Sequence, residues 1–263
     1  MLEGLLGSLR QVGAMTLEIA EGIGAVLVFL VLTLRHSATS FRRFSLTIRE
    51  MFYSGVMSLI IILVSGLFVG MVLGLQGYET LQTYGSAESV GTLVALSLTR
   101  ELGPVVSALL FASRAGSAIT AEIGLMKATE QLSAMEMMAI NPIARVIGPR
   151  FWGGFLAMPL LSAMFTAMGV LGGYVIAVIV IGVDSGAFWS QMQGAVDVMH
   201  DVVNSMIKSA VFGLAVSAIA TYQGYAAAPT AEGVSGATTR TVVSSSLAIL
   251  ALDLVLTAIM FKG

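Results

Sequence analysis

The sequence predicts an all-α integral membrane protein with an N-terminal interfacial helix, five transmembrane helices and a cytoplasmic coupling helix. Its 263 residues are 57% hydrophobic and 11% charged, whereas soluble domains are about 45–50% apolar and about 25% charged. Five apolar runs are long enough to cross a bilayer, which takes about 20 helical residues. Basic residues fall on alternate sides of these runs, as expected of a multi-pass membrane protein.

The composition argues against several classes of function. The chain has no cysteine, which excludes disulfides and thiolate metal sites. Its only histidines are His36 and His200, so we predict no metal centre. The net charge is −2, without the basic patch that nucleic acid requires. No G-x-x-x-x-G-K-[ST] motif occurs, so we expect neither ATP hydrolysis nor catalytic residues on this chain.

Residues 1–50 are predicted to form a separate N-terminal segment. Arg10, Glu18 and Glu21 interrupt its first half, and the apolar run at 22–34 has about 13 residues, which is short for a span. We favour a helix that lies along the membrane interface with one apolar face. A tilted or re-entrant helix is the alternative.

Residues 51–263 are predicted to form the five-span domain. The spans cover residues 51–78, 89–113, 151–183, 202–225 and 241–261. The first and third are uncharged, and the others are interrupted only by Arg100–Glu101, by Lys208 and by Asp253, respectively. In the first span, Gly66, Gly70 and Gly74 recur at intervals of four, which lets two helix backbones approach closely. We favour packing within the chain over a dimer interface for this face.

The distribution of Lys and Arg predicts the orientation. Basic residues precede the first span, separate the second from the third, and precede the fifth: Arg10, Arg35, Arg42, Arg43, Arg49, Arg114, Lys127, Arg145, Arg150 and Arg240. The loops at 79–88 and 184–201 contain acidic residues and neither Lys nor Arg. The N-terminus and residues 113–150 should therefore be cytoplasmic and the C-terminus external. Lys262 alone lies on the opposite side.

Four ionisable residues lie within the predicted spans: Arg100, Glu101, Lys208 and Asp253. Each costs roughly 3 kcal/mol near the bilayer centre, so each must pair or face water. At about 1.5 Å per residue, all four lie in the outer half or near the middle. Lys208 and Asp253 can therefore meet, with Arg100–Glu101 close by, and the following Gly103–Pro104 should loosen or kink the helix. Two interpretations stay open: salt bridges that lock the bundle, or the wall of a polar cavity.

Residues 113–150 are predicted to form cytoplasmic helices. On one continuous helix, a shared face would carry Glu122, Met126, Glu130 and Ala134, beside an apolar surface of Leu125, Leu132, Met135 and Met138. Asn141–Pro142 should stop this helix. It is either a membrane-surface helix or, as we favour, a helix that docks into a groove of a cytoplasmic partner.

Four long segments carry a resemblance to a known family. They are SGLFVGMVLGLQGY at 65–78, LVALSLTRELGPVVSALLFASRAGSAITAEIGLMKATEQLSAMEMMAINP at 93–142, PRFW at 149–152 and ATTRTVVSSSLAILALD at 237–253. On these segments the chain resembles the MlaE (YrbE) permeases of bacterial lipid-transport ABC systems. The match runs from about residue 42 onward and is weakest over the first 40 residues.

The resemblance implies a homodimeric transmembrane core of an ABC transporter in the inner membrane of a Gram-negative bacterium. The implied partners are a cytoplasmic ATPase (MlaF), a STAS-domain protein (MlaB) and a periplasmic MCE-domain hexamer (MlaD). ATP and Mg would bind to the ATPase, leaving this chain without a cofactor. The implied cargo is glycerophospholipid moving between the inner and outer membranes, which maintains the lipid asymmetry of the outer membrane.

The resemblance also implies roles for individual residues. The lipid cavity would be lined by Leu73, Leu81 and Tyr84, with a polar cluster of Arg100, Glu101, Lys208 and Asp253. The ATPase-coupling region, about residues 113–150, would include Glu122, Lys127, Glu130 and Glu136. Two other functions stay open: a secondary transporter with Glu101, Lys208 and Asp253 as a proton relay, and a membrane anchor that transports nothing.

Overall fold

The computed structural model describes residues 2–36 and 44–260, without side chains at 2–12, 14–16, 18–20 and 44. Its α-helices in this part of the chain are α1 Leu2–Arg35, α2 Phe44–Thr83, α3 Val90–Ser97, α4 Gly103–Phe111, α5 Ser117–Ala128, α6 Gln131–Met137, α7 Gly148–Tyr174, α8 Ser185–Ala195, α9 Val203–Ala226 and α10 Ala231–Met260. The described residues form no strand, which confirms the predicted all-α class. Arg42, Arg43 and Lys262, used above for orientation, lie outside the described residues.

Short non-α helical segments join or extend several of these helices, and they are either wider (π) or tighter (3₁₀) than an α-helix. They are the π-helical segments Leu98–Leu102, Ala112–Gly116, Ile143–Ile147, Val175–Val180 and Val198–Val202, and the 3₁₀ turn Ala87–Ser89. Within residues 2–36 and 44–260, five stretches are long and apolar enough to cross a membrane: Ser45–Thr83, Ala87–Ala128, Ile143–Val180, Val198–Ala226 and Ala231–Met260. We call them the first to fifth spans. The predicted number of spans is confirmed.

The spans extend further than predicted at one end of the bundle. The second span has 42 residues and measures about 63 Å, whereas a bilayer with its headgroups is about 40–45 Å thick. We call this extended end the basic end, because it carries Arg49, Arg114, Lys127, Arg150 and Arg240. The opposite end, with Glu79, Glu88, Asp184 and Asp197 in its connections, is the acidic end.

At the basic end the predicted coupling helix is broken in two. α5 ends at Ala128 and α6 begins at Gln131, and Glu130 between them has φ of 60°, in the left-handed region that right-handed helices exclude. The reversal of the chain lets Leu132 enter a small apolar cluster with Ile147. The prediction that Glu122, Met126, Glu130 and Ala134 share one continuous face is therefore wrong.

The role predicted for Asn141–Pro142 also needs correction. α6 already ends at Met137. The Asn141 side-chain oxygen accepts hydrogen bonds from the backbone N–H groups of Ile143 at 2.9 Å and Ala144 at 3.4 Å. Asn141 therefore caps the beginning of the third span instead of stopping the helix before it.

Asp184 caps α8 in the same way, because its side chain accepts from the backbone N–H of Ala187 at 2.7 Å.

The glycines of the first span pack against the third span of the same chain. A Cβ at Gly66 would lie 2.7 Å from the Phe165 carbonyl oxygen, and one at Gly74 would lie 3.0 Å from that of Gly173. A Cβ at Gly70 would overlap the carbonyl oxygen of Gly169. Close backbone approach requires glycine here. Packing within the chain is confirmed, and the dimer-interface interpretation of this face is wrong.

Helix α1 contacts the fourth span near the basic end. The Phe29 ring lies 5.7 Å from the Tyr222 ring and 5.5 Å from the Tyr225 ring, between centroids, and Phe29 and Thr33 are buried. These contacts fix the C-terminal part of α1 on the bundle. Its position at a membrane interface stays a prediction, as does the domain boundary at residue 50.

The glycine contacts predict a strong effect of a single methyl group. Gly70→Ala should lower the free energy of unfolding by about 1–3 kcal/mol, because overpacking forces the backbones apart. Gly194→Ala is the matched control, since no atom lies within 4 Å of its added Cβ. Thermal unfolding of the detergent-purified protein measures both. Equal melting temperatures for the two variants would contradict the close approach of the first and third spans.

Candidate functional site

A cluster of charged side chains joins the second, fourth and fifth spans. Its centre is Lys208, whose side chain is 0% exposed. The Nζ atom lies 3.0 Å from Oε2 of Glu101 and 2.8 Å from Oδ1 of Asp253. The structure thus brings together Lys208, Asp253 and Glu101, as the depth estimate from the sequence predicted. We call these three residues, together with Arg100, Asp201 and Thr257, the charge cluster.

All three N–H groups that a lysine ammonium offers find acceptors. They donate to the Arg100 carbonyl oxygen at 2.9 Å, to Oε2 of Glu101 at 3.0 Å and to Oγ1 of Thr257 at 2.7 Å. Asp253 Oδ1 is within ion-pair distance but lacks the alignment of a hydrogen bond. Asp253 therefore stabilises Lys208 mainly through its charge.

Arg100 pairs with a residue that the sequence analysis assigned to an external loop. Its Nε donates to Oδ1 of Asp201 at 2.8 Å, and Asp201 is buried. The other carboxylate oxygen of Asp201 accepts from the backbone N–H of Asp197 at 2.9 Å. Asp201 lies seven residues before Lys208, about two helical turns. That spacing was the signal that could have placed both on one face of the fourth span.

Thr257 is the second residue that sequence reasoning missed. Besides accepting from Lys208, its hydroxyl donates to Oε1 of Glu101 at 3.2 Å. It follows Asp253 by four residues, the spacing that puts two side chains on one helix face. A threonine in an apolar span is unremarkable in the sequence, so only this spacing pointed to it.

The charge cluster is sealed on one side and open on the other. Its two cations, Arg100 and Lys208, face three carboxylates of Glu101, Asp201 and Asp253, so its formal charge is −1. Lys208 and Asp201 are buried, whereas Arg100, Glu101 and Asp253 are partly exposed. The open side thus presents carboxylates and a guanidinium within a membrane bundle. Such a surface can bind the polar part of an otherwise apolar molecule.

Of the apolar residues expected at a lipid site, Leu73 and Leu81 lie on the first span toward the acidic end, and Tyr84 lies in the turn just after it. Leu73 and Leu81 are half-buried against the main apolar cluster, whereas Tyr84 is 79% exposed. A groove of about 550 Å³ lies elsewhere, between the second span, the third span and α8, with Thr99, Leu171 and Trp189 among its lining residues. The role of Leu73, Leu81 and Tyr84 in a lipid cavity stays a prediction.

At the basic end, two of the four predicted coupling residues contact other spans of the same chain. Oε2 of Glu122 accepts from Nη2 of Arg150 at 3.2 Å. Lys127 Nζ donates to the Tyr225 carbonyl oxygen at 2.7 Å and lies 5.8 Å from the centre of the Tyr225 ring. Both contacts tie the second span to its neighbours. If Glu122 and Lys127 contribute to coupling, they do so by fixing the position of the second span.

The other two coupling residues lie on the surface around α6. Glu130 occupies the left-handed turn before this helix, and Glu136 is exposed within it. The neighbouring Met137 is 85% exposed and Met138 is also exposed. Exposed methionines beside a carboxylate form an adaptable surface for another protein. Among the residues that the structure describes, no group of His, Asp and Glu side chains could hold a metal ion.

Comparison with known proteins identifies the family. The family described as "Permease MlaE" matches residues 47–259. A Haemophilus influenzae protein named intermembrane phospholipid transport system permease protein MlaE is 60% identical over 220 residues, 84% of each chain. A Rickettsia typhi protein named as a probable ABC transporter permease is 34% identical over 258 residues, 98% of this chain and 99% of that protein.

A plant protein extends the comparison. The Arabidopsis thaliana chloroplast protein TRIGALACTOSYLDIACYLGLYCEROL 1 is 33% identical over 217 residues, 82% of this chain and 62% of that protein. The region matched by the family includes the spans that carry the charge cluster. The chain therefore belongs to the MlaE permease family.

Proposed function

We propose that this chain is the permease subunit of an ABC transporter that moves glycerophospholipids between the inner and outer membranes. The observation that carries the proposal is the charge cluster, half-open within the membrane domain of an MlaE-family chain. The name of the Haemophilus influenzae relative, which is 60% identical, supports the same cargo. The protein then lies in the inner membrane of a Gram-negative cell and maintains the lipid asymmetry of the outer membrane.

ATP hydrolysis belongs to a partner in this proposal. The relatives are named as permeases of ABC transporters, and this chain carries no P-loop motif. An MlaF-type ATPase binds ATP and Mg and docks at the basic end, together with the STAS-domain protein MlaB. An MCE-domain hexamer of the MlaD type covers the acidic end. The basic end is cytoplasmic, as the positive-inside rule requires.

Two copies of the chain enclose the lipid cavity, with the fifth span at the seam between them. In the most apolar 18-residue stretch of the fifth span, only 11% is buried within one chain, whereas 44% is buried in the corresponding stretches of the second and fourth spans. Its exposed face carries Val243, Leu247, Leu250 and Leu254. Their spacing of four, three and four is the pattern of paired helices. Asp253, at the edge of this face, brings the charge cluster next to the seam.

The proposed cavity opens toward the acidic end and holds one lipid. Leu73, Leu81 and Tyr84 contact the acyl chains, while the open side of the charge cluster faces the polar headgroup. The second span continues from Glu101 to Ala128 at the basic end. A movement of α6 caused by the ATPase is therefore passed along one helix to the charge cluster. Closure of the cavity then expels the lipid.

The orientation can be tested with single cysteines, because the chain has none of its own. A membrane-impermeant maleimide added to intact cells with a permeabilised outer membrane should label Glu88→Cys and not Glu136→Cys. Both positions are exposed at opposite ends of the bundle, so accessibility within the protein is matched. Labelling of Glu136→Cys alone would reverse the orientation and the assignment of both partners.

The ATPase should depend on α6 for docking. Glu136→Lys reverses a charge among the exposed methionines of this helix. It should weaken ATPase association at least about tenfold, because reversing a charge at an interface costs several kcal/mol of binding free energy. Glu88→Lys is the matched control at the acidic end. Co-purification of the ATPase with each variant is the measurement. Unchanged association of Glu136→Lys would rule out α6 as the docking helix.

Replacing the charged residues with neutral ones distinguishes a role of the charge cluster in transport from its role in stabilising the fold. Lys208→Met alone leaves Glu101 and Asp253 without their cation. It should lower the free energy of unfolding by about 3–5 kcal/mol. The triple variant Glu101→Gln, Lys208→Met, Asp253→Asn removes all three charges and should restore the yield of folded protein. It should not restore outer-membrane barrier function, because the polar surface for the headgroup is missing.

The matched control for this triple variant is Thr120→Val with Thr241→Val. These buried hydroxyls bridge the second and fifth spans at 2.8 Å, nearer the basic end and away from the charges. The pair should fold and keep transport. Full transport by the stable triple variant would mean that the charge cluster only holds the bundle together.

A further inference from the structure

The second span changes its helical geometry where it contacts Lys208. The segment Leu98–Leu102, which contains Arg100 and Glu101, is π-helical, and the Gly103 N–H donates to the Leu98 carbonyl five residues back. Short π-helical turns within α-helices are rare and are frequent at functional sites. The widened turn directs Arg100 toward Asp201 and Glu101 toward Lys208. Two adjacent side chains thus reach two different parts of the fourth span.

Pro104 gives a physical reason for this turn and for the position of Lys208. Proline has no backbone N–H, so it cannot donate to the carbonyl four residues earlier, which is that of Arg100. Its ring also clashes with that carbonyl in a regular helix and tilts it away from the axis. Lys208 Nζ donates to this carbonyl at 2.9 Å. The ammonium supplies a hydrogen bond where proline offers none.

Thr257 provides a second uncharged acceptor for the same ammonium. Its hydroxyl accepts from Lys208 at 2.7 Å and donates onward to Glu101 at 3.2 Å. A lysine head on a flexible four-carbon stem thus has two uncharged acceptors in addition to the two partly exposed carboxylates. The Arg100 carbonyl and the Thr257 hydroxyl keep their acceptor capacity when a carboxylate is protonated or engaged by another group. Both acceptors therefore remain in contact with the ammonium when the charge of Glu101 or Asp253 is lost or engaged elsewhere.

We propose that Pro104 and Thr257 are positioning residues that hold the Lys208 ammonium between Glu101 and Asp253 during lipid transport. Pro104 acts by turning the Arg100 carbonyl toward Lys208, and Thr257 acts by bridging Lys208 to Glu101. With the ammonium fixed, the second, fourth and fifth spans keep one register while the open carboxylates face the cargo. The transport role rests on the function proposed above, whereas the position of Lys208 does not.

Chemical protection of Lys208 tests the positioning directly. The permease–ATPase complex is treated with an amine-reactive anhydride, and modification of Lys208 is followed by peptide mass spectrometry, with Lys127 as the internal reference. Pro104→Ala and Thr257→Val should each raise the Lys208 modification rate about tenfold relative to Lys127, since each removes or weakens a hydrogen bond to a charged group. ATP-dependent lipid transfer by the same preparations should fall in parallel.

Two control variants carry the same substitutions elsewhere in the spans. Pro159→Ala replaces a proline inside α7. Thr221→Val removes a buried hydroxyl that donates to the Ser217 and Ala218 carbonyls of its own helix. Neither should change Lys208 modification or lipid transfer. An increase in modification caused equally by the controls would mean general loosening of the bundle and would overturn the proposal.

The outcomes separate this inference from the proposed function. If Lys208 is modified at the same rate in folded Pro104→Ala and Thr257→Val as in the unchanged protein, neither residue positions the ammonium. Raised modification with unchanged lipid transfer would refute the transport role while leaving the positioning intact. If the triple charge variant also transferred lipid normally, the proposed function of the charge cluster itself would fail.

Discussion

The interaction on which the membrane domain depends is the burial of one ammonium group among three helices. A lysine without exposure inside a bundle must find acceptors for each N–H and a compensating negative charge. Lys208 finds them on the second and fifth spans while belonging to the fourth. Any large separation of these three spans would leave a charge unpaired in a medium of low polarity. The spans must therefore move together or exchange partners in a defined way.

The rest of the bundle places this cluster and connects it to the basic end. The first and third spans approach closely through glycines, and at the basic end they are also joined by an ion pair between Arg150 and Glu50 at 3.8 Å. The second span runs from the charge cluster to Ala128, where Lys127 is fixed on the fourth span by the Tyr225 carbonyl. One helix thus links a polar surface within the membrane to the segment that turns into α6. In the proposed function, this continuity is the mechanical route by which movement driven by the ATPase reaches the charge cluster.

Much of this arrangement was predictable because bilayers restrict sequences strongly. Apolar runs predicted five spans, and helical rise alone predicted that Lys208 and Asp253 could meet. Local backbone events were less predictable. The left-handed Glu130 depends on Leu132 entering a tertiary cluster, which helical periodicity does not reveal. Asp201 and Thr257 were missed because an acid near a span end and a threonine inside one have common alternatives. Their partners become visible only when three helices are placed side by side.

We propose that lipid movement is driven by a partner ATPase and not by protons passing through Glu101, Lys208 and Asp253. The most direct measurement is transfer of labelled glycerophospholipid by the purified complex in proteoliposomes, with ATP and a pH gradient supplied separately. We expect transfer with ATP in the absence of any gradient, and a proton ionophore should not affect it. Transfer driven by the pH gradient without ATP, and abolished by the ionophore, would contradict it.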